Sequence, residues 1–320
     1  MKFKFLCLLC ASGWLATACV DNNYDFGKLE TDNIVIGDAT SVTEMPLANV
    51  YISMSEIASN QSDILALCRK ADKWLPAPLP ANADYIDLTQ INDPGYSGEI
   101  FDALIAQMDS DPEKLDAVTA LVYEEYAPEF SELLGVPVTE PELFEEAFRI
   151  GYKEPAVNEE LRNCFIGFLS ADLHVEPFNY DIGSINISNE VVDMLADNLD
   201  PEGTPDPVNT LNLAGEIVSK LPISMQFSPT FRSGSYEIVS FDAYIDAMSD
   251  SCPIAESEQT RIYAEGLRRL VNGAEISIPV IFEKYYPGDS GFLNTPADDQ
   301  TPQIEIRLHL IKRGGIKINF

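Results

Sequence analysis

The amino-acid sequence predicts an α+β fold, in which a helical middle region is followed by a mostly antiparallel, sandwich-like β region. Two observations predict this class. Between about residues 98 and 170 apolar residues recur at the spacing of one helical face, whereas from residue 171 they alternate with polar residues as in half-buried strands. We therefore divide the chain into a mixed region over 33–170, which begins with strands, and a β-rich region over 171–320 with one inserted helix.

The start of the mixed region is expected to contain both strands and a helix. Residues 33–37 and 46–54 are rich in strand-forming side chains, and 62–74 places its apolar residues on one helical face. The stretch 75–80 contains three prolines and is predicted to be an extended connector, because proline cannot sit inside a helix. A short strand is predicted at 85–88.

Four helices are predicted in the helical middle. They are expected to begin near residue 98, after Asp111 with Pro112 in the first turn, at Thr139, and near Asn158. Thr139 and Glu142 have the spacing of a capping box, and Leu143 is among the residues expected to be buried in that helix. Each helix has one apolar face, so together they can bury a common core.

Alternating segments predict the strands of the β-rich region. They lie at 185–188, 223–228, 276–282 and 304–310. Gly314 and Gly315 predict a turn that joins the last of these to a partner strand over 316–320 as a hairpin. A helix is predicted near 258–271. Two stacked sheets, or one sheet backed by this helix, would both satisfy the pattern, and we favour the sandwich.

The N-terminus is predicted to export and anchor the chain. A basic start, an apolar stretch of about ten residues and a run of small residues have the order of a secretory signal over 1–18, and that stretch is too short to span a bilayer. The segment Leu15-Ala16-Thr17-Ala18-Cys19 resembles a bacterial lipobox, which implies a lipid on Cys19 and stable membrane attachment. The alternative is an ordinary cleaved signal that leaves Cys19 as a plain thiol. Residues 19–32 are polar and acidic and are expected to form a tether.

The composition argues against several function classes. The formal net charge is −32, with 52 acidic residues against 20 basic ones. Nucleic-acid binding requires clustered Lys and Arg, so we predict no nucleic-acid partner. The chain has just two histidines, His174 and His309, and it lacks the common phosphate-loop, GxSxG and HExxH motifs. We therefore predict no enzyme activity and no cofactor.

The cysteines outside the predicted signal give little information about function. Apart from Cys19 they are Cys68, Cys164 and Cys252, an odd number that allows one disulfide and one free thiol. Cys164 lies on an apolar helical face and is expected to act as a small buried hydrophobe.

The polar run 198–209 is a weak calcium candidate. Read as a calcium-binding loop, it has possible ligands and a turn glycine at Asn198, Asp200, Glu202, Gly203 and Asp206. The twelfth position is Asn209, where such loops have a bidentate Glu. The competing interpretation is an acidic surface linker after a short helix.

The leader resembles a known group of lipoproteins. The segment Cys19-Val20-Asp21-Asn22-Asn23-Tyr24-Asp25-Phe26-Gly27-Lys28-Leu29-Glu30-Thr31-Asp32 is similar to the start of Bacteroidetes lipoproteins of unknown function. The resemblance implies a lipid-anchored location in the cell envelope, at the outer membrane. The periplasmic face and the cell surface both remain open as the place of the folded part. It brings no catalytic residues.

Three hypotheses about function follow. The first is a structural or interaction role with another envelope protein. The second is a surface glycan-binding protein, for which Trp74, Tyr285 and Tyr286 are the candidate aromatic residues. The third is a fimbrial-type subunit matured by cleavage after a basic residue. It ranks last, because Lys28 is the only basic residue early in the mature chain.

Overall fold

The computed structural model describes the chain from the first predicted strand onward, in five ranges: 33–60, 64–169, 175–185, 187–288 and 290–319. The predicted signal over 1–18, Cys19, the tether over 19–32 and His174 lie outside the described residues. Helices and antiparallel strands are both abundant, with a large β region, so the predicted α+β class is confirmed.

Most of the helices lie in the first half of the described chain. They are α1 (Met54–Ser59), α2 (Ile64–Trp74), α3 (Pro94–Ser110), α4 (Pro112–Leu134), α5 (Pro141–Gly151), α6 (Pro155–Leu169), α7 (Asn189–Asp197), α8 (Ala264–Val271) and α9 (Ser290–Leu293). The proline-rich connector ends in a short 3-10 turn, Pro80–Asn82. In the described part of the chain, no helix has both the length and the apolar character needed to cross a bilayer.

Asp111 caps α4 as its sequence position predicts. Its carboxylate oxygen accepts hydrogen bonds from the backbone N–H groups of Glu113, at 3.0 Å, and Lys114, at 3.3 Å. Pro112 follows in the first turn, where its missing N–H leaves no intrahelical bond unmade.

The capping box predicted at Thr139 and Glu142 is wrong. Helix α5 begins at Pro141, and the preceding Glu140 makes no side-chain capping bond. The fixed φ of proline suits the first helical position, so Pro141 starts the helix and leaves Thr139 outside it.

The buried face of α5 is narrower than predicted. Leu143 is 42% exposed, whereas Phe144 and Phe148 are fully buried. Those two rings lie four residues apart and pack against Tyr123 and Phe130 of α4, so Leu143 is directed away from the core. The next helix, α6, begins at Pro155, earlier than the predicted Asn158.

The strands occur at both ends of the described chain. They are β1 (Asn33–Ile36), β2 (Val42–Ser53), β3 (Ile86–Asp87), β4 (Phe178–Ile182), β5 (Leu211–Ser219), β6 (Ile223–Phe227), β7 (Thr230–Ser233), β8 (Tyr236–Ser240), β9 (Ala243–Ile245), β10 (Cys252–Ile254), β11 (Ala274–Ile278), β12 (Val280–Tyr285), β13 (Pro302–Arg313) and β14 (Ile316–Asn319).

These strands form four antiparallel sheets. The first pairs β1 with β14, and the second has the order β10-β5-β13-β2. The third has the order β4-β11-β7-β8, and the fourth has the order β3-β12-β6-β9. Strands β1, β2 and β3, from the mixed region, therefore lie in sheets with strands of the β-rich region.

The third and fourth sheets share continuous chain segments. Strand β6 runs on into β7, β8 into β9, and β11 into β12. The predicted alternation over 276–282 is confirmed, since Ile276, Ile278, Val280 and Phe282 are buried. Pro279 divides that segment into two strands, because proline has no N–H to donate to a ladder.

The hairpin predicted from Gly314 and Gly315 is wrong. Strand β14 pairs with β1, with Ile318 opposite Ile34. Both edges of β13 are already occupied, by β2 on one side and β5 on the other, so β14 has no free edge of β13 to join. Gly314 adopts φ +79°, which lets the chain leave the second sheet at this point.

Two further boundaries differ from the prediction. Residues 185 and 187 belong to no strand, and the strand of this segment is β4, which ends at Ile182. Ile185 instead donates its N–H to the carbonyl of Val271 at 2.9 Å, in the connection that leads to α7. The inserted helix α8 begins at Ala264, later than the predicted 258.

A single cluster of buried residues includes both helical and strand side chains. Phe101 and Phe165 belong to it from the helices, and Ile306 and Phe227 belong to it from the second and fourth sheets. Sheets that contribute side chains to one core are expected of a sandwich-like arrangement.

Candidate functional site

Two of the three aromatic residues predicted for glycan binding belong to the core. Trp74 is 1% exposed, and its ring lies 5.9 Å from that of Phe165 and 6.4 Å from those of Tyr126 and Phe168. Tyr285 is 4% exposed. Neither ring can present a platform to a ligand.

The third residue, Tyr286, lies in an aromatic cluster at the surface. Its ring centroid is 5.5 Å from that of Tyr85, with 48° between the ring planes. The ammonium nitrogen of Lys284 lies 4.7 Å from the centroid of the Tyr85 ring. Tyr244 on β9 is 45% exposed. It lies close enough to Lys284 and Tyr286 to raise the pKa of both groups. We name Tyr85, Tyr244, Lys284 and Tyr286 the tyrosine face.

Strand register places this face on the outer side of the fourth sheet. Tyr244 lies directly opposite Gln226, which lies directly opposite Ile281 on β12, so the three share one face of the sheet. Ile281 is 57% exposed. Lys284 lies opposite Ser224, two residues from Gln226 on β6, and therefore points to the same side.

Lys284 carries a positive charge at neutral pH. Its pKa is raised, first by Tyr244 and then by Tyr85, whose phenolic oxygens favour the ammonium form. The pKa of Tyr286 is also raised, mainly because burial disfavours the phenolate, although the charge of Lys284 opposes this. The tyrosine face therefore offers the neutral phenol of Tyr286 beside the cation of Lys284 at neutral pH.

A cleft of about 420 Å³ lies next to the tyrosine face. Residues along its wall include Lys220, Met248, Asp250, Phe292, Thr295 and Gln303. The turn between β5 and β6 separates the two features: Met248 donates its N–H to Leu221 O at 2.9 Å, and Tyr286 donates to Pro222 O at 2.8 Å. The volume falls in the range of small-molecule sites.

The residues of the weak calcium candidate are occupied elsewhere or point to solvent. The side chain of Asn198 bonds both the N–H and the carbonyl of Lys317, each at 2.7 Å. Asp200 accepts backbone N–H bonds, whereas Glu202 and Asp206 are exposed. Within the described ranges, no three His, Cys, Asp or Glu side chains come together as a metal site.

Two buried cations lie beneath this polar loop. Lys312 is 2% exposed and donates to the carbonyl oxygens of Arg313 and Gly314. Arg261 is 5% exposed and lies 3.3 Å from Glu258, while its Nε and Nη2 atoms have no hydrogen-bond partner among the described residues. Both cations interact electrostatically with Asp200, so this region forms a charged support for the loop.

The three cysteines are free thiols in this structure. Cys68 and Cys252 are buried, and Cys164 is half-buried, less than predicted. Burial, followed by the nearby Glu160, raises the pKa of Cys164 to about 12. His309 is partly buried, with Nε2 3.6 Å from a carboxylate oxygen of Glu44. None of these groups lies in the tyrosine face.

Comparisons with known proteins add no relative. A scan against protein-family models, a search of curated proteins and a search of solved structures each found no match for this chain.

Proposed function

We propose that this protein is a lipid-anchored protein of the bacterial cell envelope, held at the outer membrane by Cys19, and that its tyrosine face binds a surface saccharide. The anchor rests on the lipobox-like segment of the sequence. The saccharide-binding role rests on one structural observation, the surface grouping of the exposed Tyr244 with the half-buried Tyr85, Lys284 and Tyr286 beside a cleft.

The chemistry of the face suits a sugar ring. Sugars present C–H groups on one face and hydroxyls around the rim. Aromatic rings can cover the C–H groups, while tyrosine hydroxyls and Lys284 can hydrogen-bond to the rim. Gln226 adds an amide on the same face of the sheet. The adjoining cleft adds the polar side chains of Lys220, Thr295 and Gln303 to this surface.

Tyr244→Ala tests this role most directly. Full-length protein in detergent is applied to an array of neutral and acidic glycans, and the affinity for the best ligand is then measured in solution. Removing one stacking ring is expected to weaken binding by about tenfold.

Tyr51→Ala is the matched control. Tyr51 and Tyr244 are each 45% exposed, but Tyr51 lies on β2 in the second sheet. Its removal should leave binding unchanged. An array without signal above background, or equal losses in the two variants, would reject saccharide binding at the tyrosine face.

The other two hypotheses stay predictions from the sequence. A structural partner in the envelope and a fimbrial-type assembly both depend on the anchored leader.

A further inference from the structure

The ligand of the proposed saccharide site can be narrowed by charge. The chain carries 52 acidic residues, and its exposed arginines are mostly engaged by them. Several make ion pairs at 2.5 to 2.9 Å: Arg149, Arg162, Arg268, Arg307 and Arg313. Lys220 and Lys284 form no ion pair with any carboxylate of the described residues, although acids surround them.

Glu283 influences Lys284 electrostatically without forming an ion pair with it, and two other nearby acids are engaged by other groups. Asp87 lies opposite Lys284 across the strands, but its carboxylate accepts hydrogen bonds from the side chains of Thr89 and Gln90, each at 2.6 Å. Glu305, which lies near Lys220, pairs with Arg307 at 2.9 Å. Both lysines therefore keep their charge available to a ligand.

The two lysines occupy adjacent parts of one surface. Lys284 lies within the tyrosine face, and Lys220 lines the cleft on the other side of the β5–β6 turn. Met248 in the cleft follows Tyr244 in the face by four positions, and an extended chain covers at most about 14 Å over four steps. A chain of a few sugar units can reach across both parts.

We propose, on the basis of the saccharide-binding role, that the ligand is an acidic oligosaccharide, with one carboxylate or sulfate on Lys284 and a second on Lys220. A neutral sugar on the tyrosine face would remove water from Lys284 and return only hydroxyl acceptors, which bind an ammonium group less strongly than a carboxylate or sulfate does. An acidic sugar restores a charge-assisted hydrogen bond there. Asp246 and Asp250 border the same surface and disfavour an anion elsewhere on it, so the spacing of the ligand's charges matters.

The test uses matched pairs of ligands. Hexasaccharides of oligogalacturonate and of chondroitin sulfate are compared with neutralised forms, which keep the sugar rings but lose the charge. The oligogalacturonate is methyl-esterified, and the chondroitin sulfate is both desulfated and methyl-esterified at its carboxylates. Titration calorimetry with the full-length protein in detergent measures each affinity. At least one acidic hexasaccharide is expected to bind at least tenfold more tightly than its neutralised form.

Lysine variants locate the effect. Lys284→Gln should lower the affinity for the acidic ligand about tenfold and leave the affinity for its neutralised form unchanged. Lys220→Gln should weaken binding of the hexasaccharide but not of the corresponding disaccharide. Lys317→Gln is the control, since Lys317 is exposed on β14 and far along the chain from this surface. Thermal unfolding of each variant checks that the fold is intact.

The outcomes separate the two proposals. Equal binding of charged and neutralised ligands overturns the acidic ligand but keeps the saccharide-binding role. The acidic ligand is also overturned if Lys284→Gln and Lys317→Gln change the affinity for it equally. No binding of either ligand form, together with a silent glycan array, removes both proposals.

Discussion

Asp200 shows how a single carboxylate can order a proline-rich acidic loop. Its Oδ2 atom accepts hydrogen bonds from the backbone N–H groups of Val208, at 2.7 Å, and Asn209, at 2.8 Å, and its own N–H donates to Asn209 O at 2.9 Å. The residue therefore joins the two ends of the loop. Burial raises the pKa of Asp200, but the bonds from Asn209 and Val208 outweigh burial, and the pKa lies below its ordinary value.

Asp200→Asn is expected to lower the melting temperature at pH 7 by about 2 to 4 °C, because the amide accepts these bonds less strongly than a carboxylate. A lowered folded-state pKa contributes stability above the unfolded pKa and loses it as the pH falls through the folded value. The difference between wild type and variant should therefore shrink at pH 3. Thermal unfolding followed by circular dichroism at both pH values measures it.

The control for this prediction is Asp206→Asn, in the same loop. Asp206 is exposed, so its replacement should change the melting temperature little at either pH. A melting-temperature difference for Asp200→Asn that is identical at pH 7 and pH 3 would show that ionisation of Asp200 does not contribute.

The residues of the tyrosine face show why the sequence predicted only part of the candidate site. Tyr286 is one of the three aromatic residues that the sequence predicts for glycan binding, but the other two, Trp74 and Tyr285, are buried. Tyr85 immediately precedes β3 and Tyr244 lies on β9, far apart in the chain. They are brought near Tyr286 because β3 pairs with β12 and β9 pairs with β6. Cross-strand neighbours are set by register, which no local pattern in this sequence reveals.

At the level of elements, local periodicity predicted several of the strands, missed others such as β4 and β5, and did not show which strands pair. The alternation over 304–310 correctly predicts β13. The partners of this strand are β2, more than two hundred residues earlier in the chain, and β5. The turn glycines at 314 and 315 favoured a local hairpin, but the observed partner of β14 is β1. Strand β14 therefore pairs with β1 because both edges of β13 are already occupied.

Gly215 is required by the close pairing of β5 with β13. A Cβ atom on Gly215 would lie 2.1 Å from the carbonyl oxygen of Arg307, which belongs to the backbone and cannot rotate away. Gly215→Ala is therefore expected to cost about 3 kcal/mol of unfolding free energy. Chemical denaturation monitored by tryptophan fluorescence, which reports on buried Trp74, measures the change.

Gly167→Ala is the opposing control. A Cβ atom there would meet nothing within 4 Å, and the residue lies inside α6, where alanine is preferred to glycine by about 0.5 to 1 kcal/mol. This variant should be slightly more stable than wild type. If Gly215→Ala were as stable as Gly167→Ala, the second sheet would have to tolerate a local shift of β13.

At the scale of the whole molecule, the sequence predicted the fold class better than its arrangement. Helical and alternating periods correctly gave an α+β chain, since each period reports one buried face. The single core that joins both kinds of element was not predictable, because strands from the mixed region enter sheets of the β-rich region. Long-range pairing of this kind depends on the complete set of available edges.

The acid-rich surface and the predicted anchor lead to a prediction for the whole protein in the cell. A net charge of −32 repels anionic lipid, so the folded body should contribute little to membrane attachment, and the lipid on Cys19 should supply nearly all of it. Cys19→Ser is therefore expected to move the protein from the membrane fraction to the soluble fraction. Fractionation and immunoblotting measure the shift, and the intact mass of the wild type should show an acylated chain beginning at Cys19.

Cys10→Ser is the matched control, because residue 10 is predicted to be removed with the signal, and it should leave the protein in the membrane fraction. Retention of the Cys19→Ser protein in that fraction would mean that the body itself, or a partner, holds the chain at the membrane.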